Sequence, residues 1–167
     1  MTSLLATILI QGQSEFVDIL FPAGGLWRYV DTYDARQAQK STLGFNSPKF
    51  DDTDWWVGRA PFGNVLTEGE APRTQWDTRY PAKVRTWVDL RHDYQSIELR
   101  ISVDNGFTLF FDGNYVTHEV KEGPGKKWEH VIQVQNVKRG KHLVSLLLVD
   151  WHHETWFDCE IVGRRAR

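Results

Sequence analysis

The 167-residue sequence has a single cysteine, Cys159, so neither a disulfide scaffold nor a cysteine-built zinc cage is available to it. No charge of either sign dominates. Twenty Lys and Arg against 22 Asp and Glu leave a net charge of -2, which argues against a general binder of nucleic acid or membrane surfaces. No apolar run approaches the roughly 18 residues of a membrane span, so membrane insertion is not expected. Repeats and low-complexity tracts are absent. No glycine-rich phosphate loop is present, because Gly58, Gly63 and Gly69 do not form one. The short apolar stretch Leu4–Ile10 has no basic residue before it and no small-x-small site after it, so a secretory signal is not expected. Residues 1–15 read instead as a first strand or an arm, and 16–167 as one domain made in the cytoplasm.

What the sequence has in quantity is tryptophan, eight residues, within an aromatic share of 13%. That content excludes a disordered chain. Turn signals recur at Gly24-Gly25, Ser47-Pro48, Gly63-Asn64, Asn105-Gly106, Asp112-Gly113-Asn114, Gly123-Pro124-Gly125 and Arg139-Gly140, with short β-prone runs between them. This spacing predicts an all-β sandwich or barrel. Strands are expected at 16–21, 84–90, 97–103, 107–111, 128–134, 142–149 and 156–162. Ile97 to Val103 places apolar residues at odd positions and polar ones at even positions, which predicts one buried and one wet face. The nearly continuous apolar run 142–149 predicts burial on both faces. Asn105-Gly106 and Asp112-Gly113 both read as hairpin turns. Residues 31–40 read as a short helical turn or polar loop. The long stretch 66–81, poor in regular signals, reads as a functional or contact-making loop.

The most specific segment is Phe50-Asp51-Asp52-Thr53-Asp54-Trp55-Trp56-Val57-Gly58-Arg59-Ala60-Pro61-Phe62-Gly63. It resembles the F-D-D-S-x-W-x-x-G-x-A-P-F-G signature of galactose-binding-domain-like jelly rolls, among them the sugar-binding domain that precedes the barrel in β-galactosidase-type glycosidases. Further pieces follow in the family's order. Gly25-Leu26-Trp27-Arg28-Tyr29-Val30-Asp31 is similar to G-S-x-W-x-Y-x-D. Val84-Arg85-Thr86-Trp87 is similar to L-R-R-x-F. Asp104-Asn105-Gly106 and Phe110 to Val116 are similar to D-x-G-x-x-V-Y-V-N-G-x-x-V, with Asp112 in place of the usual Asn. Gly140-Lys141-His142-Leu143 is similar to G-x-N-x-L, with His142 in place of Asn. Phe157-Asp158-Cys159-Glu160-Ile161 is similar to the closing F-D-x-x-I.

The resemblance implies a single jelly-roll β-sandwich with short helical turns in its loops. Trp27, Phe50, Asp51, Asp52, Trp55, Gly58, Pro61, Gly63, Asp104, Gly106 and Gly113 carry its structural signature, and Trp87 takes a core position. Asp51 and Asp52 can cap a helical turn. The signature specifies a fold, and function must come from sites placed upon it. Trp56 is expected to cover a sheet edge. Trp76, Trp128, Trp151 and Trp156, with His152 and His153, are the candidate ligand contacts. Indoles at a loop end stack on the apolar face of a sugar or seal a protein contact. The His and carboxylate cluster at 150–158 matches no metal-ligand spacing. A glycosidase pair can be imagined among Asp150, Glu154 and Asp158, but nothing in the sequence demands one and the resembling domains are the non-catalytic part of such enzymes, so no catalysis is expected. No cofactor is required, and a structural calcium held by Asp51, Asp52, Asp54 or Asp104 is a minor reading. Cys159 reads as a buried structural thiol, and the basic end 163–167 as a solvated tail.

Two functions follow, and a third, a glycoside-active enzyme, is disfavoured. The first is a non-catalytic structural or adhesion module of a larger assembly, with other subunits or copies of itself as partners. The resemblance extends to phage tail, baseplate and capsid-decoration proteins, so incorporation into a virion is expected. The second is a carbohydrate-binding module with a glycan as its ligand.

Overall fold

The computed structural model describes residues 15–31, 42–65, 69–76, 81–121, 126–151 and 154–166. Among them are eleven strands and no helix: β1 (Glu15–Phe21), β2 (Leu26–Asp31), β3 (Trp56–Arg59), β4 (Phe62–Gly63), β5 (Thr74–Gln75), β6 (Ala82–Leu90), β7 (Tyr94–Phe111), β8 (Asn114–Lys121), β9 (His130–Val137), β10 (Gly140–Val149) and β11 (Trp156–Ala166). One face runs β3-β2-β6-β10-β7-β8. The other places β7 between β9 and β11, with β1 and β4 along β11 and β5 parallel to β4. The fold is an all-β jelly-roll sandwich, with β7 shared by both sheets. Its first half pairs with β9 and β11 and its second half with β8 and β10.

The core lies between the sheets. Trp27, Phe62, Trp76, Val84, Leu99, Ile101, Phe107, Leu109, Leu146 and Phe157 are almost wholly buried. Each such side chain contributes about 1.5–3 kcal/mol by leaving water. Central strand β10 is covered on both sides, as its apolar run predicts: Val144, Leu146 and Leu148 enter the core, and Leu143 is buried on the other face. A second, smaller core forms outside the β2–β6–β10 face. There Val30, Phe45 and Trp55 pack with Phe50, Phe110 and Leu147 beneath the 42–55 segment.

Arg85 staples that segment to the sheet. Its guanidinium is fully buried, ion-pairs with Asp52, donates to the Ser47 carbonyl at 3.0 Å, and lies 5.2 Å from the Phe50 ring centre. Arg28 adds a second cation, 3.4 Å from Asp52. Two distant pieces of the sequence signature, F-D-D and V-R-T-W, therefore meet in one ion pair.

Several expectations need correction. No helical turn follows Asp51-Asp52: the Asp51 Oδ1 accepts from the Thr53 N–H at 3.0 Å and its hydroxyl at 2.7 Å, which makes a side-chain-closed turn. Trp87 is 46% exposed, because β6 sends Val84, Val88 and Leu90 inward and the odd position 87 outward. Asn105-Gly106 is no hairpin turn, since β7 runs through it from one sheet into the other. The even face of 97–103 is not wet: Ser102 is 1% and Glu98 6% exposed. Arg100 and Arg164 cover Glu98, and Arg100 also reaches Glu160 at 2.9 Å. The basic end is no free tail over its described residues. Arg164 and Arg165 extend β11, and Arg165 pairs with Asp18 at 2.9 Å. The arm 1–14 and the 32–41 segment lie outside the described residues.

Candidate functional site

The connection from β1 to β2 turns at Pro22–Gly25, where the Gly25 N–H donates to the Pro22 carbonyl at 3.1 Å and Gly24 takes φ +71°. The backbone N–H of Gly24 points at β11, 134 residues away in sequence, and donates to Asp158 Oδ1 at 3.0 Å. The Cys159 N–H donates to the same oxygen at 2.8 Å. On the other side, Pro61 holds the 70–75 segment through its carbonyl, which accepts from the Arg73 N–H at 2.8 Å and the Thr74 N–H at 3.3 Å. The Thr74 hydroxyl adds a bond to the Arg59 carbonyl at 2.8 Å.

These three tethers shape a groove of about 500 Å³, lined by Ala23, Gly24, Pro61, Pro72 and the side chains of Arg73 and Asp158, with Glu70 and Ala71 on its rim. Asp158 is only 4% exposed. Its Oδ1 is occupied by the two backbone N–H groups. Its Oδ2 accepts no bond from the described residues, and the carboxylate borders the groove. Burial pushes the Asp158 carboxyl up; the Gly24 and Cys159 N–H groups hold it down, and nearby Glu70 raises it while Lys127 lowers it. Glu70 is engaged with Lys127 at 2.6 Å, and the same ammonium lies 5.7 Å over the Trp128 ring. Arg73 remains exposed at the rim, its guanidinium crossing above Gly24. The groove thus combines a buried acceptor, an exposed fork of donors and apolar walls of Ala, Gly and Pro.

The six expected ligand contacts do not converge. Trp76 and Trp156 are 1% and 4% exposed and belong to the packed interior, where the Thr155 hydroxyl donates to the Trp76 carbonyl at 2.7 Å. Trp128 is half-buried, and its backbone N–H donates to Ser102 Oγ at 2.7 Å. Trp151 is 54% exposed, with its backbone N–H bonded to Asn105 Oδ1 at 2.9 Å. His152 and His153 lie outside the described residues. Trp56 sits at the sheet edge, 37% exposed, its ring edge-on to Tyr29 at 5.6 Å.

Of the four carboxylates weighed for calcium, two are engaged in the fold, one is buried in a strand, and Asp54 is exposed. Asp52 serves two guanidinium groups, Asp51 closes its turn, and Asp104 is buried on β7 opposite Trp156. Among the described residues no three His, Cys, Asp or Glu side chains are grouped as a metal site. Asp150 is half-buried, Glu154 is exposed, and Asp158 is tied to the Gly24 turn. Cys159 is fully buried and its thiol is pushed well above the usual range, so it is unreactive. Sequence reasoning missed Glu70 and Arg73. The signals that point to them are the irregular 66–81 stretch and the Asp158 of the closing F-D pair.

No protein-family model matches the sequence, and no curated protein matches it. Solved structures do match its fold. Ruminococcus gnavus β-glucuronidase with D-glucaro-1,5-lactone aligns with TM-score 0.54 and 9% identity over 92% of this chain and 30% of that one. Bacteroides uniformis β-glucuronidase aligns with TM-score 0.57 and 11% identity over 90% of this chain and 18% of that one. A β-glucuronidase from an uncultured Clostridium sp. gives TM-score 0.54 and 8% identity over 95% and 30%. The chain spans less than a third of those enzymes' length. At such identities the likeness concerns architecture, and the architecture is the galactose-binding-domain-like jelly-roll sandwich that the sequence signature resembles.

Proposed function

We propose that the chain is a non-catalytic carbohydrate-binding module whose ligand sits in the groove between the Gly24 turn, the 70–73 segment and β11. The observation that carries this reading is the Asp158 carboxylate. It is anchored through one oxygen, leaves the other without a partner among the described residues, and borders a groove whose far rim is the exposed Arg73 guanidinium. Sugars present hydroxyl groups that donate and accept around an apolar ring, so a buried acceptor, a rim donor and small apolar walls suit them. The matched β-glucuronidases support a module role, since this fold is under a third of each. A glycan array followed by calorimetry tests it. Arg73→Ala is expected to weaken binding about tenfold or more, equivalent to about 1.4 kcal/mol, with an unchanged melting curve. An unaltered protein that retains no glycan, or a variant that binds as well as the parent, would refute the assignment.

A second reading, a structural or adhesion module of a larger assembly such as a phage tail, baseplate or capsid decoration, is favoured by a separate surface. Leu26 and Val57 are 49% and 59% exposed on the outer side of paired strands β2 and β3, with Arg59 and Arg28 opposite them. The Thr86 hydroxyl donates to the Leu26 carbonyl, so the adjacent exposed Trp87 extends this strip onto β6. An exposed apolar strip flanked by arginines has the composition of a protein contact.

A further inference from the structure

The groove's charges are unequal in depth, and that inequality bears on which sugars it accepts. Among the described residues three charged side chains line it, Glu70, Arg73 and Asp158, and Lys127 reaches Glu70 from outside. Lys127 and Glu70 satisfy each other at 2.6 Å, both about 45% exposed. Arg73 is exposed. Asp158 alone is deep, and among the described residues its hydrogen-bond partners are two backbone N–H groups, both on one oxygen. An ionised carboxylate accepts hydrogen bonds and donates none. The ligand edge that reaches the groove floor must therefore donate. A hydroxyl does so through a charge-assisted bond, stronger than a neutral one. A second carboxylate at that depth cannot donate, and it brings like charge into a half-dehydrated site where repulsion is poorly screened.

Resting on the carbohydrate-binding reading, we propose that Asp158 makes the groove selective for neutral sugars that turn a hydroxyl-bearing edge inward, and that it excludes the matching uronates. The selectivity is set at the floor. The rim guanidinium of Arg73 is available to acidic and neutral ligands alike, because both carry acceptors.

The test measures matched pairs, methyl galactoside against methyl galacturonide and methyl glucoside against methyl glucuronide, by saturation-transfer NMR and calorimetry on the intact chain. The unaltered protein is expected to prefer the neutral member of at least one pair by about tenfold or more. In Asp158→Asn the Oδ1 can still accept from Gly24 and Cys159, while a donor NH₂ replaces the second oxygen. That variant is expected to lose most of the preference, by admitting the uronide and weakening the neutral sugar. The methyl ester of the same uronide, tried on the unaltered protein, removes the ligand's charge without touching the fold. It is expected to bind within a few-fold of the neutral sugar. Uronides binding the parent as well as neutral sugars, a preference that survives Asp158→Asn in a folded variant, or rejection of the ester as strong as that of the free uronide would each overturn the inference while leaving sugar binding intact. Absence of binding for every sugar would instead remove the carbohydrate reading on which it rests.

Discussion

Asp112 and His142 each depart from the residue usual in the resembling family, and the structure brings the two departures into contact. Asp112 takes φ 50° and Gly113 φ 84°, so the β7–β8 hairpin closes by a turn of the mirror-image type that twisted strands favour. From that corner the Asp112 Oδ1 accepts from the Leu143 N–H at 2.8 Å, and its Oδ2 lies 2.7 Å from His142 Nδ1. The other ring nitrogen is 2.7 Å from the Lys138 carbonyl, and the ring stacks on Phe111 at 5.2 Å. Asp112→Asn and His142→Asn are each expected to cost about 1 kcal/mol, and the double variant less than their sum by about 0.5–1.5 kcal/mol. Urea denaturation of the four proteins measures this, and strict additivity would show that the pair is uncoupled. Asp158 behaves differently. Burial raises its folded carboxyl above the unfolded value, so its ionisation costs stability as pH rises through that range. Asp158→Asn does not titrate. Its stability relative to the parent is therefore expected to be greater at pH 7 than at pH 3, and a difference independent of pH would contradict this origin.

At the scale of the element, the turn signals Asn105-Gly106 and Asp112-Gly113 look alike in sequence but build different things. Asp112-Gly113 is a turn, whereas Gly106 sits within β7, paired with Val120 and Val149. A Cβ there would lie 2.6 Å from the Glu119 carbonyl, so this glycine permits close approach of two backbones where β7 passes between sheets. Local sequence cannot separate those uses, because each asks only for a residue without a Cβ. Parity was legible in β6, and it places Trp87 outside, against its signature position. Gly63 makes the same kind of demand at the seam of β4 and β11, where a Cβ would lie 2.4 Å from the Thr155 carbonyl. Gly63→Ala is expected to destabilise by about 2–3 kcal/mol, since backbone on both sides must move. Arg85→Leu is expected to cost about 2–3 kcal/mol, because it leaves Asp52 with the more exposed Arg28 alone and takes from the Ser47 carbonyl one of its two donors, the other being the Phe50 N–H. Chevron or equilibrium unfolding gives both values, and a change under 1 kcal/mol at either position would mean that the neighbouring backbone yields.

For the whole molecule, the residues that declare the jelly roll are those that tie distant strands together, which is why the fold was legible. Asp52 meets Arg85 across 33 residues, and Asp158 meets the Gly24 turn across 134. The groove was not legible, since its floor and walls come from four separated stretches and Asp158 serves both the fold and the groove. The tryptophans misled for a related reason. Trp76 and Trp156 fall beside loops in sequence, yet the β4–β11 and β4–β5 pairings draw them inward. Of the exposed indoles, Trp56 lies at the β3 edge, Trp151 stands apart, and Trp87 joins Leu26 and Val57 in the strip, which does not share residues with the groove. The two surfaces should therefore be separable. Leu26→Ser with Trp87→Ser alters side chains already about half in water, so folding stability should change by no more than about 0.5–1 kcal/mol. Glycan affinity should stay that of the parent. If the strip is a contact between copies, the parent's sedimentation coefficient will rise with concentration and the double variant's will stay at the monomer value. Identical sedimentation of the two proteins would assign no self-contact to the strip, and a loss of glycan binding in the variant would show that the surfaces are coupled.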